Sequence, residues 1–178
     1  PAGVPIDAFV VGGRRTQTVP RVTQSFDFAH GVYMGAMAGS DTPAAALDVG
    51  QRLRRDPLAM LPFCGYPLGD YFTHWLNLGA TGNATGDCEW GTMPRIFYVN
   101  WFRKSADGKF LWPGFGENSR VLKWVFERCD GQAETSESFV GLHPTPGSLD
   151  LEGLDIPAAD LEELFKVDLA DWQKEVTL

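Results

Sequence analysis

The sequence predicts an α/β fold in which a mixed sheet is flanked by helices. Three observations lead there. Residues 96–102 (IFYVNWF) are rich in β-branched and aromatic side chains, the composition of a buried strand. Residues 6–11 (IDAFVV) form a second short apolar run closed by Gly12 and Gly13, a strand feeding a glycine turn. Residues 119–128 place Val121, Leu122, Val125, Phe126 and Cys129 on one face of a helix, with Gly131 as its stop signal. Strands and helices mix without a clean βαβ alternation, so the sheet is expected to be mixed.

The remaining elements follow in order. Residues 20–28 suit a short helix with Pro20 in its first turn and Gly31 beyond its end. Residues 32–37, apolar with small side chains, read as a strand. In SDTPAAALDVG (residues 40–50), Asp41 or Thr42 can cap a helix, Pro43 suits its first position and Gly50 ends it. Small side chains give that segment little to anchor it, so it is expected to be mobile. Residues 62–67 are rich in turn formers, and Asp70 caps a helix to about Leu78 that Gly79 stops. Residues 80–91 (ATGNATGDCEWG) read as a polar surface loop, and residues 132–153 as an exposed connection. Two short acidic helices, 158–165 and 168–176, finish the chain, with Leu161, Leu164 and Phe165 facing the core. No repeat or second domain is visible, and 178 residues suffice for one domain, or part of one, with a real core.

Composition excludes several function classes. The net charge of -8 argues against general nucleic-acid binding, which wants a basic face. The cations that exist are clustered: Arg14 with Arg15, then Arg52, Arg54 and Arg55, then Arg103 with Lys104. Such clusters in an acidic chain suit a small polyanion, although Arg52 reads equally well as solvated surface. Cys64, Cys88 and Cys129 are odd in number and lack CxxC spacing, so they read as free thiols in a reducing cytosol. His30, His74 and His143 stand far apart without ligand-like partners, and no metal site is inferred from them. No apolar run reaches the 18 or more residues of a membrane span.

The most informative stretch is NWFRKSADGKFLWPGFGENSR, residues 100–120. Trp101, Phe102, Phe110, Trp112 and Phe115 lie among glycines, a proline and polar residues, and only the first part of the run reads as strand, the rest as loop. Aromatic faces on such a loop, beside an asparagine, form a slot for a flat hydrogen-bonding ring such as a nucleobase. An amide offers a donor and an acceptor to a purine edge. Gly12-Gly13-Arg14-Arg15 turns the backbone after a strand and aims arginines from the sheet's end, where a guanidinium fork matches phosphate oxygens.

The loop resembles the guanine-binding loop of the GTP-dependent phosphoenolpyruvate carboxykinases. The resemblance continues, in family order, at GGRR (12–15), HGVYMGAMAGSD (30–41), RRDPLAMLPFCGY (54–66) and GDYFTHW (69–75), and becomes loose after Cys129. It implies that the fold is the C-terminal portion of the carboxykinase nucleotide-binding domain. It also implies that guanine lies among Phe102, Phe110 and Phe115 in a loop of about residues 100–118, with Asn118 at the base edge. Arg14 then reaches the nucleotide phosphates as the catalytic arginine, whereas Arg15 reads better as a structural ion pair. Residues 39–50 become a lid beginning Gly39, Ser40, Asp41, Thr42, Pro43 and Ala44, which closes over bound substrates. Its departures from the family pattern, Gly39 where some members carry arginine, Pro43 where threonine is common, and Leu47-Asp48, bear on lid closure. Asp56-Pro57 reads as a lid anchor, with Arg54 and Arg55 steadying the lid or drawing in an anion.

The activity implied is conversion of oxaloacetate and GTP into phosphoenolpyruvate, GDP and carbon dioxide, in gluconeogenesis or anaplerosis. Manganese, and magnesium on the nucleotide, would be the cofactors. A cytoplasmic monomer without nucleic-acid or membrane partners is expected. The sequence has no GxxxxGK[ST] phosphate loop. The family places that loop, its metal ligands and its oxaloacetate-binding arginine upstream. A chain that begins at Pro1 without an initiator methionine or targeting segment is therefore expected to be a C-terminal piece, inactive by itself, with an acidic helical segment at about 154–178. The alternatives are a non-catalytic purine or GTP-binding module, and a structural fragment whose aromatics are core.

Overall fold

The computed structural model describes residues 3–42, 53–85 and 93–177. At its centre is β5 (Arg95–Val99), buried at four of its five positions. β1 (Ala8–Gly12) pairs with it in parallel, Val10 opposite Phe97 and Gly12 opposite Val99. On its other side β2 (Val22–Gln24) runs antiparallel, followed by β7 (Gly141–Pro144) and β6 (Thr135–Ser138), giving the order β1-β5-β2-β7-β6. One parallel and three antiparallel pairings make the sheet mixed, as expected. A separate two-stranded ribbon joins β3 (Gly39–Asp41) to β4 (Leu53–Arg55), with Gly39 opposite Arg55.

Alternation along β5 sends side chains to two cores. Phe97 and Val99 pack with Val22, with Leu111 and Trp112 of the aromatic loop, and with Trp124 of α3 (Asn118–Cys129) and Leu164 of α4 (Ala158–Phe165). The Phe97 and Trp124 rings meet edge to face at 5.9 Å. On the opposite side Ile96 packs against Phe28 and Val32 of α1 (Phe28–Ala36), backed by Phe72 and Trp75 of α2 (Leu68–Thr85). α5 (Leu169–Val176) closes the chain. Both acidic helices stand where expected, with Leu164 fully buried and Leu161 and Phe165 packed against the same core.

Several expectations are corrected. The helix expected over residues 20–28 is instead β2, whose Val22 and Thr23 are β-branched and buried on both faces. The strand expected over residues 32–37 is part of α1, capped by Asp27, whose carboxylate accepts from the His30 amide at 2.7 Å. Phe28, Gly31, Val32 and Gly35 recur at helical spacing on its buried face, and a Cβ on Gly31 would lie 2.5 Å from the Ile96 Cβ. The glycines in that apolar run therefore serve close helix–sheet approach. Gly79 likewise does not stop α2, which continues to Thr85; a Cβ there would meet the Phe28 ring at 2.5 Å. The loop expected over residues 80–91 is helix as far as Thr85.

The exposed connection expected over residues 132–153 contains the β6–β7 hairpin. His143 is buried within it, bridging Ser138 Oγ at 2.7 Å and the Val22 carbonyl at 3.1 Å. A carbonyl only accepts, so Nδ1 carries the proton and Nε2 accepts from the serine. The buried stripe of α3 is Val121, Trp124 and Val125, while Leu122 and Phe126 are 41% and 73% exposed. The large indole of Trp124 turns the stripe toward the sheet. The helix expected within residues 40–50 falls mainly outside the described residues. Among the described residues no helix is long and apolar enough to cross a membrane.

Replacing Gly31 with alanine forces α1 away from Ile96. Gly31→Ala is expected to cost about 1–3 kcal/mol in chemical denaturation, despite the better helix propensity of alanine. An unchanged midpoint would show that the helix shifts freely.

Candidate nucleotide site

β1 and β5 end together at Gly12 and Val99, and ligands in open α/β sheets bind beyond such carboxyl ends. A cavity of about 600 Å³ opens there, walled by Gly13, Arg14, Ser40, Asp41, Trp101 and Phe102. Gly13 lies so close to β3 that a Cβ would meet the Gly39 carbonyl oxygen at 2.2 Å. The Arg14 amide donates to Ser40 Oγ at 3.1 Å, and the Asp41 amide donates to the Arg14 carbonyl at 2.7 Å. The Asp41 carboxylate accepts from both the amide and hydroxyl of Thr16, at 2.7 and 2.8 Å. The first strand of the expected lid is thus laced to the arginine turn. Residues 43–50, with Pro43 and Ala44, lie outside the described residues.

The clustered cations separate into two groups. Arg15 is buried and makes a two-pronged pair with Glu175 of α5 at 2.7 and 2.5 Å, the structural role expected for it. Arg55 donates to the same carboxylate at 3.0 Å and to the Glu175 carbonyl at 2.8 Å. Arg54 pairs with Asp56 at 2.9 Å, and Asp56 also accepts from the Leu61 amide at 3.0 Å, which ties the end of β4 to the turn that follows. Arg103 turns inward to the Thr18 and Lys166 carbonyls and to Glu163, so its grouping with Lys104 as an anion patch is corrected. Arg14 differs from these. Among the described residues it has no carboxylate partner, and its guanidinium lies 4.9 Å from the centre of the Phe102 ring.

Phe102 lines the cavity and meets Phe110 obliquely, centroids 6.4 Å apart. Lys104 covers the Phe110 ring at 4.7 Å. Phe110 is 57% exposed and Phe115 93% exposed, so neither belongs to the core. Arg14, Phe102 and Phe110 are brought together, whereas Phe115 stands on the outer limb between Gly114 and Gly116. Asn118 opens α3, half-buried, and its Oδ1 accepts from Arg21.

Sequence reasoning missed Arg21, which lies on a segment expected to be a helix. It is fully buried between Trp101 and Trp112, 4.4 Å from each ring. Its Nη1 donates to the Asn100 carbonyl at 3.3 Å. Burial alone pulls its pKa down to about 9, and among the described residues no carboxylate offsets that. Glu175 was also missed, since nothing marks it among the acidic residues of the C-terminal helices. Burial pushes its carboxyl up, but the hydrogen bond and charge of Arg15, joined by Arg55, outweigh burial and hold it below the ordinary glutamate value of 4.5. Among the described residues no group of three His, Cys, Asp or Glu is placed to hold a metal.

Fold and site together define an α/β domain with a cleft receptive to a ring and an anion. The family profile described as "Phosphoenolpyruvate carboxykinase C-terminal P-loop domain" matches residues 1–178, and the chain belongs to that family. It is 52% identical over 178 residues to the "Phosphoenolpyruvate carboxykinase [GTP]" of Treponema pallidum (strain Nichols), covering 99% of this chain and 28% of that protein. It is 48% identical over 176 residues to the protein of the same name from Paenarthrobacter aurescens (strain TC1), covering 99% and 28%. The corresponding Renibacterium salmoninarum protein is 49% identical over 175 residues, covering 98% and 28%. The chain thus spans little more than a quarter of the length of these relatives.

A carboxyl held below its ordinary pKa stabilises the fold fully above that ordinary value, and the contribution is lost as pH falls through the lowered one. Glu175→Gln is expected to cost about 3 kcal/mol at pH 7, on the scale of a broken buried pair. The gap from wild type should close as pH falls below 4.5. Urea titrations of both proteins between pH 7 and 3 measure it; a gap that does not depend on pH would refute the ion clamp.

Proposed function

We propose that this segment forms the guanine and phosphate side of the nucleotide site in a GTP-dependent phosphoenolpyruvate carboxykinase. The whole protein would convert oxaloacetate and GTP into phosphoenolpyruvate, GDP and carbon dioxide, a carboxy-lyase reaction. The observation that carries this reading is Arg14. It is a guanidinium without a carboxylate partner among the described residues, placed over an aromatic ring at the mouth of a cavity beyond parallel strands. A nucleotide presents the matching pair, a flat ring and an anion.

In this role Phe102 and Phe110 hold one side of the base, Phe115 meets its outer side and Asn118 addresses its edge. Stacking is indifferent to the base, so the edge must choose guanine. Arg14 offers paired donors to phosphate oxygens and neutralises charge that grows on the transferred phosphoryl group. The lid, rooted in Gly39, Ser40 and Asp41, excludes water and shields the enolate left by decarboxylation from stray protons. Manganese and nucleotide-bound magnesium belong to this reading as cofactors, but the residues described here do not fit an ion. Cys64 and Cys129 are free thiols, which supports a cytoplasmic setting. A monomer acting on small molecules, without nucleic acid or membrane, completes the reading.

The exposure of Phe110 and Phe115 weighs against a structural fragment with core aromatics. Titrating GDP, ADP and UDP against tryptophan fluorescence of the full-length protein distinguishes the rest. Preference for GDP supports the proposal, and equal response to both purines favours a general purine module. Phe115→Ala should leave the fold intact and weaken GDP binding by about 1–3 kcal/mol, the scale of one lost base stack. Unaltered GDP affinity in that variant would remove Phe115 from the site.

A further inference from the structure

We infer that Arg21 sets the base preference of the site by fixing which way round the Asn118 amide faces. The inference rests on the guanine reading above. The Arg21 side chain ties together three separate parts of the aromatic loop. Trp101 at its start and Trp112 in its middle sandwich the guanidinium, and Asn118 at its end accepts from Nη2. The Arg21 backbone is fixed as well, its amide donating to the Leu164 carbonyl at 3.1 Å and its carbonyl accepting from the Asn100 amide at 2.9 Å.

A guanidinium has five donors and no acceptor. The Asn118 atom that faces it must therefore be the carbonyl oxygen, since a flipped amide would set two donor groups against each other. Arg21 Nε already lacks a partner, so no spare acceptor exists nearby to relieve a flip. With Oδ1 turned to Arg21, the half-exposed amide presents Nδ2 on its other side, and among the described residues Nδ2 has no partner. On the guanine reading, which puts Asn118 at the base edge, that edge is a donor. Guanine and hypoxanthine carry an acceptor oxygen at the six position, whereas adenine carries a donor amino group there. A fixed donor accepts the first two and rejects the third. Arg21 touches no ligand in this scheme. It is a positioning residue, and the class it selects is the 6-oxopurine nucleotides.

The test uses GDP, IDP and ADP with the full-length protein, read as ratios of dissociation constants. Wild type should bind GDP and IDP in preference to ADP. Arg21→Met keeps an unbranched apolar stem between the tryptophans and frees the amide. The GDP:ADP and IDP:ADP preferences should both fall about tenfold, the scale of one base-edge hydrogen bond. Asn118→Asp is the second variant, for use even if Arg21→Met fails to fold. It keeps the acceptor toward Arg21, replaces the donor with a second acceptor, and should retain the melting temperature while losing the 6-oxopurine preference. The inference is overturned if folded Arg21→Met keeps its preference, if it weakens all three nucleotides equally, or if Asn118→Asp still favours GDP. A wild-type protein indifferent among the three sinks the guanine reading itself, and this inference with it.

Discussion

A guanidinium taken out of water must find acceptors for its donors or lie against aromatic faces, because an unmet buried charge costs several kcal/mol. Arg15, Arg21 and Arg103 are all buried, and each meets this demand differently. Arg15 takes a full carboxylate, Glu175, from the last helix. Arg103 takes two carbonyls and one half-exposed carboxylate. Arg21 takes two oxygens and two indole faces, with no carboxylate among the described residues. In each case the terminal nitrogens join a loop near the cleft to a distant part of the chain, while the buried Nε has no hydrogen-bond partner among the described residues. The loops that form the cleft have little periodic structure of their own, so these cations do much of the work that a helix or strand ladder does elsewhere.

The same demand explains why Arg14 stands out. Among the described residues Arg15, Arg54, Arg55 and Arg103 are engaged by carboxylates, whereas the Arg14 side chain has no carboxylate partner and lies over the face of Phe102. In the proposed role, the chain's net charge of -8 would repel a nucleotide at long range. That field is screened over about 8 Å at physiological salt, so short-range donors decide binding. Among the described residues Arg14 and Arg54 line the cavity itself, and Lys104 lies over the neighbouring Phe110 ring.

Much of this was legible in the sequence where local chemistry and final structure agree. β5, α3, α4 and α5 carry strong periodic or β-branched signals, and tertiary packing reinforces them. The failures share one cause. Gly31 and Gly79 read as helix ends and Gly35 as part of a strand, but their missing Cβ atoms admit Ile96, Phe28 and Leu58, contacts that only the assembled fold reveals. Val22 and Thr23 lie beside a proline that suggested a helix, yet three-residue β2 is held by two neighbouring strands rather than by its own propensity. At the site, Arg14, Phe102 and Phe110 were legible from motif and composition. Arg21 and Glu175 were not, because their roles depend on partners 97 and 160 residues away in the chain.

The lacing of β3 to the arginine turn adds a mechanical consequence. The Arg14 carbonyl accepts from the Asp41 amide and the Arg14 amide donates to the Ser40 hydroxyl, so the turn and β3 cannot move independently without breaking both. On the opposite strand of the ribbon, Arg55 is held by Glu175, which also holds Arg15. Both strands of the ribbon are therefore referenced to one carboxylate and one turn. In the proposed role, a phosphate that draws the Arg14 side chain acts on a turn already bonded to the lid's first strand, while the second strand stays fixed to α5. Ligand binding and lid position would then be coupled through two hydrogen bonds and one ion clamp, with no rearrangement of the sheet.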